Sequence, residues 1–137
     1  MARPSSGHPT PGELEVLKII WERGASSSRD VLEILNGDGQ ERAYTTVASL
    51  MNVMVDKRLL KRKPHGRAFV YSAAVPRHNT LTEMLRDLMG RAFEGSASQL
   101  FAHLLDSKQL SAKELEEIRK AIASHQSDQR SDPPAKR

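Results

Sequence analysis

Thr45, Ser49, Asn52 and Asp56 recur at i, i+4, i+7 and i+11. On a helix of 3.6 residues per turn that spacing gathers them on one stripe, and Thr46 adds a further hydroxyl beside Thr45. Such residues are poor helix formers: β-branched Thr loses side-chain freedom, while Ser and Asn compete for the backbone. An ordinary solvated helix face carries Glu, Lys and Gln instead. Short hydroxyl and amide groups suit a helix whose outer face must approach another surface closely. The chemistry they offer is hydrogen bonding to the edges of bases. Thr and Ser reach a base edge or a thymine methyl, and Asn can pair bidentately with adenine. The alternative is an amphipathic helix that shows its polar side to water.

A second set of groups follows directly. Lys57, Arg58, Lys61, Arg62, Lys63 and Arg67 stand within eleven residues with no acid among them. A solvated basic face is the common fate of such a run. Its position after the polar stripe favours contact with phosphates, for which Lys61, Lys63, His65 and Arg67, together with Arg42 at the head of the stripe's helix, are the candidates. The formal charge of +4 permits a polyanionic partner without requiring one.

Other chemistry finds little support. There is no cysteine, which excludes disulfides, thiolate metal sites and thiol catalysis. The histidines His8, His65, His78, His103 and His125 are scattered, and no metal-ligand spacing, phosphate loop or nucleophile elbow occurs. Glu114, Glu116 and Glu117 sit among Lys113, Arg119 and Lys120, where ion pairing along a helix accounts for them. The Gly-Asp-Gly at positions 37–39 reads as a turn. No enzymatic activity, cofactor or metal is expected. Neither a signal-peptide-like stretch nor a run of membrane-spanning length appears, so a cytoplasmic chain without membrane insertion is the expectation.

The elements that must position these groups follow from capping and periodicity. Thr10, Pro11 and Glu13 have the spacing of a capping box with proline at the first helical position. They open a helix with Leu14, Leu17, Ile20 and Trp21 on one face. One of Ser26, Ser27 or Ser28 caps a second helix, with Val31, Leu32 and Leu35 inward. The stripe's own helix turns Val47, Leu50, Met51 and Met54 to the core. Leu59–Lys63 and Ala68–Ser72 read as strands joined by a turn over Lys63-Pro64-His65-Gly66.

Beyond Pro76, a helix capped by Asn79 or Thr80 carries Leu81, Leu85, Leu88 and Met89. Another carries Leu100, Phe101, Leu104 and Leu105. A third, opened by the Ser111/Glu114 capping box, carries Leu115, Ile118 and Ile122. Three short helices make a poor core alone, so these faces are expected to be buried against a second copy of the chain. The fold class is therefore mainly α. A flexible arm covers 1–9, and a winged helix-turn-helix of three helices plus a hairpin covers 10–75. A three-helix dimerisation region follows over 76–124, with a disordered tail over 125–137.

The segment AYTTVASLMNVMVDKRLLKRKPHGRAFVYSA resembles the recognition helix and wing of the penicillinase-repressor family, the BlaI/MecI-like regulators. The likeness extends back to LEVLKIIWERG and forward to FEGSASQLFAHLL and LSAKELEEIRKAI. The resemblance implies a homodimeric transcriptional repressor on palindromic operator DNA. In antibiotic-responsive members, the protease of a membrane sensor clips the dimerisation region. The matching position is near Ala102-His103-Leu104, where well-known members have Asn-Phe and this chain has His103-Leu104. The cysteine cluster of a copper-responsive branch is absent. Two other readings remain open from the residues: a winged helix that senses a small molecule through its C-terminal helices, and a winged-helix module that docks an acidic protein.

Overall fold

The computed structural model describes residues 8–131. The elements run α1 (Pro11–Arg23), α2 (Ser28–Asn36), α3 (Tyr44–Asp56), β1 (Leu60–His65), β2 (Ala68–Ala73), α4 (Arg77–Ala92), α5 (Ala97–Asp106) and α6 (Ala112–Ser131). Contacts divide the chain within α4, into Met1–Asp87 and Leu88–Arg137. The division thus falls inside a helix rather than at Pro76.

In the first unit α1 and α2 start where side chains satisfy free N–H groups. The Thr10 hydroxyl accepts from the Glu13 N–H at 3.2 Å, and a Glu13 carboxylate oxygen accepts from the Thr10 N–H at 2.9 Å. Ser27 and Asp30 form the same reciprocal pair at the head of α2. The three helices close on Val16, Leu17 and Ile20 of α1, Val31 and Leu35 of α2, and Val47, Met51 and Met54 of α3. Leu59, Leu60 and Tyr71 complete this core. Val16 is fully buried while Leu14 and Trp21 are half-buried, so the inward face of α1 is rotated slightly from the expected one. Trp21 keeps its indole nitrogen at the edge, where it donates to the Val75 carbonyl at 3.0 Å.

The hairpin is launched by the way α3 ends. Arg58 takes a left-handed conformation (φ 67°), its N–H donates to Val55 O, and the Leu59 N–H reaches back to Met54 O at 2.9 Å. This is a Schellman closure with Arg where glycine is usual. It puts Leu59 beside Met54 in the core. β1 and β2 then pair antiparallel, with His65 opposite Ala68 and Arg62 opposite Tyr71. The turn is Gly66-Arg67, not Lys63–Gly66, and His65 belongs to a strand rather than to the tip. Gly66 alone of the two turn residues has positive φ (64°), as a two-residue II′ hairpin needs at its first central position.

Pro64 is tolerated inside β1 for a geometric reason. The N–H and C=O of Tyr71 both bond outward to Ser26, at 2.8 and 2.9 Å. Arg62–Tyr71 is therefore a non-hydrogen-bonded pair, and alternation puts Pro64–Phe69 in the same class. The missing N–H of Pro64 costs no ladder bond. This arrangement, three packed helices followed by a two-stranded ribbon, is a winged helix, and the chain as a whole is mainly helical.

α4 begins at Arg77, earlier than an Asn79 or Thr80 cap would place it. Thr80 is buried, and its hydroxyl donates to Pro76 O at 2.8 Å within the helix. The Ser111/Glu114 box forms as expected at α6. α6 itself continues to Ser131, through the polar stretch expected to be a tail from 125. The residues beyond it, like 1–7 of the expected arm, lie outside the described residues, while Pro9 is buried. Among the described residues no helix is long and apolar enough to cross a membrane.

One buried charge ties the start of α1 to the end of α3. Glu13 is 2% exposed, and its carboxylate accepts from Lys57 Nζ at 2.7 Å. Burial pushes the Glu13 carboxyl up, but the Lys57 ammonium and the Thr10 groups together outweigh it and hold the carboxyl below its ordinary value of 4.5. Because the folded value is depressed, this stabilisation is complete above pH 4.5 and is lost as pH falls through the folded value. Lys57→Met should cost about 1–3 kcal/mol at neutral pH, since a buried acceptor loses its charged donor. In urea titrations the deficit should shrink below pH 4.5, where a protonated Glu13 needs no ammonium. A deficit independent of pH would rule out this pair as its origin.

Candidate nucleic-acid interface

α3 presents one face to the core and the other outward. Thr45, Thr46, Ser49, Asn52 and Asp56 are all exposed, as the stripe requires. Two residues the stripe did not include flank it: Tyr44, 43% exposed, and Val53, 47% exposed. A helical projection could have found both, since they lie a quarter-turn either side of the polar centre. Arg29 of α2 sits over the Tyr44 ring at 5.0 Å, which puts a cation at the head of this face. The α3 N-terminus carries no side-chain cap, unlike those of α1, α2 and α5.

The wing stands beside this helix, and its register sorts the basic residues. Leu60, Arg62, Pro64, Phe69, Tyr71 and Ala73 share the face that carries buried Tyr71. Lys61, Lys63 and His65 occupy the opposite face, and Arg67 sits in the turn. All four are exposed, and among the described residues none of the three cations forms an ion pair. Arg62, which the list of candidate contacts omitted, does more. Its guanidinium lies 4.4 Å from the Phe69 ring centre and donates through Nη1 to Asn52 Oδ1. The Tyr71 hydroxyl donates to the same oxygen at 3.1 Å. Arg62 falls on the Tyr71 face because of the register across Gly66-Arg67, which a turn over Lys63–Gly66 does not give.

Arg42 is engaged differently from the expected phosphate contact. Nη1 donates to Leu35 O at 2.6 Å, and Nη2 to Asp38 Oδ2 at 2.8 Å and to Gln40 Oε1 at 3.1 Å. The Asn36 side chain closes the loop further by accepting from the Arg42 N–H and donating to its carbonyl. Hydrogen bonding from Arg42 holds the Asp38 carboxyl below its usual range, and Asp38 in turn raises the guanidinium. The Gly-Asp-Gly turn is thus the anchor for the arginine that leads into α3. Lys57 is likewise spent on Glu13 and contributes no free charge to the basic run.

In the second half the apolar candidates lie on helices but find little cover. Leu81, Met89, Leu100, Phe101, Leu104 and Ile118 are half-buried, whereas Leu85, Leu88, Leu115 and Ile122 are 39–49% exposed. His103 is exposed within α5, edge-on to the Phe93 ring at 5.9 Å, and Leu104 beside it is half-buried. Glu116 and Arg119 form a two-point ion pair on α6, at 2.6 and 3.1 Å. An open depression of about 370 Å³ is lined by Lys18, Trp21 and Glu22 of α1 and by Arg77 at the start of α4, all within the first unit.

Residues 9–124 match the family model described as Penicillinase repressor. The chain belongs to that family. It is 24% identical over 113 residues to the penicillinase repressor of Bacillus licheniformis, covering 82% of this chain and 88% of that one. The methicillin resistance regulatory protein MecI of Staphylococcus aureus is 22% identical over 110 residues, covering 80% and 89%. An uncharacterized 16.5 kDa protein of Latilactobacillus sakei is 29% identical over 115 residues, covering 82% and 77%. Among solved structures, the transcriptional regulator Tm0710 from Thermotoga maritima aligns over 91% of this chain and 80% of its own, at 16% identity and a TM-score of 0.47. Membership of this family makes the chain a DNA-binding transcriptional repressor, and the family is one of repressors rather than enzymes.

The two kinds of arginine and lysine in this region are separable by experiment. Lys61→Ala should weaken binding to all duplexes alike and lower the slope of log affinity against log salt by about one. Arg42→Ala should leave that slope unchanged, because its charge is already committed to Asp38, while speeding limited proteolysis between Asn36 and Arg42. An Arg42 variant with a slope lowered as much as that of the Lys61 variant would show that Arg42 reaches phosphate after all.

Proposed function

We propose that this repressor binds a palindromic operator as a homodimer, with α3 in the major groove and the wing on the flanking backbone. The observation that carries the reading is the pairing of an outward hydroxyl and amide stripe on α3 with an adjacent ribbon on which Lys61, Lys63 and Arg67 form no ion pair among the described residues. Thr45, Thr46, Ser49 and Asn52 meet base edges, while Lys61, Lys63, His65 and Arg67 meet phosphates. Phosphate contacts set affinity and its salt dependence, and the stripe sets sequence preference. Asp56, at the far end, marks where contact with a polyanion ends.

The homodimer is supported by the incomplete burial of the C-terminal half. Four large side chains, Leu85, Leu88, Leu115 and Ile122, are left substantially open in the single chain. A two-fold dimer covers such faces with their own copies and places two reading helices on symmetric half-sites. Retention of the promoter upstream of this gene should exceed that of random duplex and fall steeply between low and physiological salt. Leu88→Asp should yield monomers by light scattering and bind the same promoter at least tenfold more weakly. Equal retention of random duplex would remove the operator reading, and an intact dimer of the Leu88 variant would remove this face as the interface.

Release from DNA by cutting in α5 follows from the family resemblance. The His103–Leu104 bond lies inside a regular helix, so cleavage by a membrane sensor's protease requires α5 to open locally first. Mass spectrometry of the repressor from induced cells should show a fragment ending at His103. Repression lifted with only intact chain present would replace clipping with another trigger.

A further inference from the structure

We infer that Asn52 reads its base as a hydrogen-bond donor only, a role that rests on the operator reading above and narrows it. The amide oxygen is occupied twice, by Arg62 and by the Tyr71 hydroxyl at 3.1 Å. The orientation of the amide is fixed by chemistry: a guanidinium only donates, so the atom facing Arg62 must be Oδ1 and not Nδ2. Both lone pairs of that oxygen are spent.

Asn52 is exposed, and among the described residues its Nδ2 makes no hydrogen bond. What it offers outward is therefore two N–H donors and no acceptor. The hold on Oδ1 does not depend on Arg62 alone. Tyr71 is 3% exposed and its hydroxyl must find a partner, so Oδ1 stays engaged even if a phosphate draws Arg62 away. The Arg62 guanidinium is in turn held in place over the Phe69 ring.

A donor-only amide cannot form the bidentate pair with adenine, which requires Oδ1 to accept from the N6 amino group. Adenine can still accept one N–H at N7 but sets its own N6 donor against the other. Guanine offers two adjacent acceptors, N7 and O6, and thymine offers O4, while cytosine presents only a donor. Asn52 thus selects guanine first and thymine second. The wing becomes a specificity element without touching a base, since Arg62 and Tyr71 decide which half of the Asn52 amide faces the groove.

Selection from randomised duplexes with the full chain tests this. The wild-type chain should prefer guanine, or thymine, at one position of each half-site. Asn52→Asp, which keeps the acceptor for Arg62 and Tyr71 but loses both donors, should weaken that preference about tenfold or more and leave the other positions unchanged. Combining Tyr71→Phe with Arg62→Met frees Oδ1 and should admit adenine at the same position. Should that double variant fail to fold, the comparison of wild type with Asn52→Asp decides alone. A wild-type preference for adenine at the position that Asn52→Asp alters would overturn the inference, as would a selection that Asn52→Asp leaves untouched. A wild-type chain with no base preference anywhere would sink the operator reading itself, and this inference with it.

Discussion

The packing of the inner face of α3 is the constraint on which the outer face depends. Val47, Met51 and Met54 are buried to 2% exposure or less. Each such side chain contributes about 1.5–3 kcal/mol on burial. Each Thr, Ser or Asn on the other side costs at most about 0.5 kcal/mol in helix propensity. The inner face therefore holds the helix in place, and the outer face is free to carry side chains chosen for what they touch. A stripe of Glu and Lys would make a better isolated helix, but its long, strongly hydrated side chains would keep the backbone away from another surface.

The same helix also fixes the wing. Its Schellman closure at Arg58 and Leu59 sets where β1 starts, the Ser26–Tyr71 bridge sets which groups of β2 face outward, and Gly66 sets the turn. Those three constraints determine that Arg62, not Lys61 or Lys63, faces α3. Charge in the basic run is consequently divided by geometry: Lys57 neutralises Glu13, Arg62 orients Asn52, and Arg58, Lys61, Lys63 and Arg67 form no ion pair among the described residues. Net charge alone could not reveal this division.

Features governed by local spacing were legible in the sequence. The capping boxes at Thr10 and Ser111 and the buried face of α3 depend on residues at short, regular helical spacings. Features governed by pairing across the chain were not. Pro64 looked like a turn residue because its tolerance within a strand depends on the ladder's alternation, which in turn depends on Ser26, far away in sequence. Arg42 looked like a free cation because its partners, Leu35 O and Asp38, become neighbours only when the loop folds back. Asn52 looked like a complete amide because nothing in its local sequence announces Tyr71.

The early end placed on the last helix has a related cause. Residues 125–131 are polar enough to read as a tail, and no apolar period marks them as part of a helix. Yet the helix persists to Ser131. Propensity and continuation from the Leu115–Ile122 segment suffice once a helix is nucleated, because propagation adds a hydrogen bond for each residue fixed. No residue of 88–129 is buried in the single chain, whereas the first unit has a closed core. The two halves therefore differ in what stabilises them. The winged helix is held by its own packing, whereas the C-terminal helices leave Leu88, Leu115 and Ile122 open in the single chain. In the dimer proposed above, that difference would couple DNA binding to assembly: an event that uncovers the C-terminal faces would weaken the grip on two half-sites while leaving each reading helix intact.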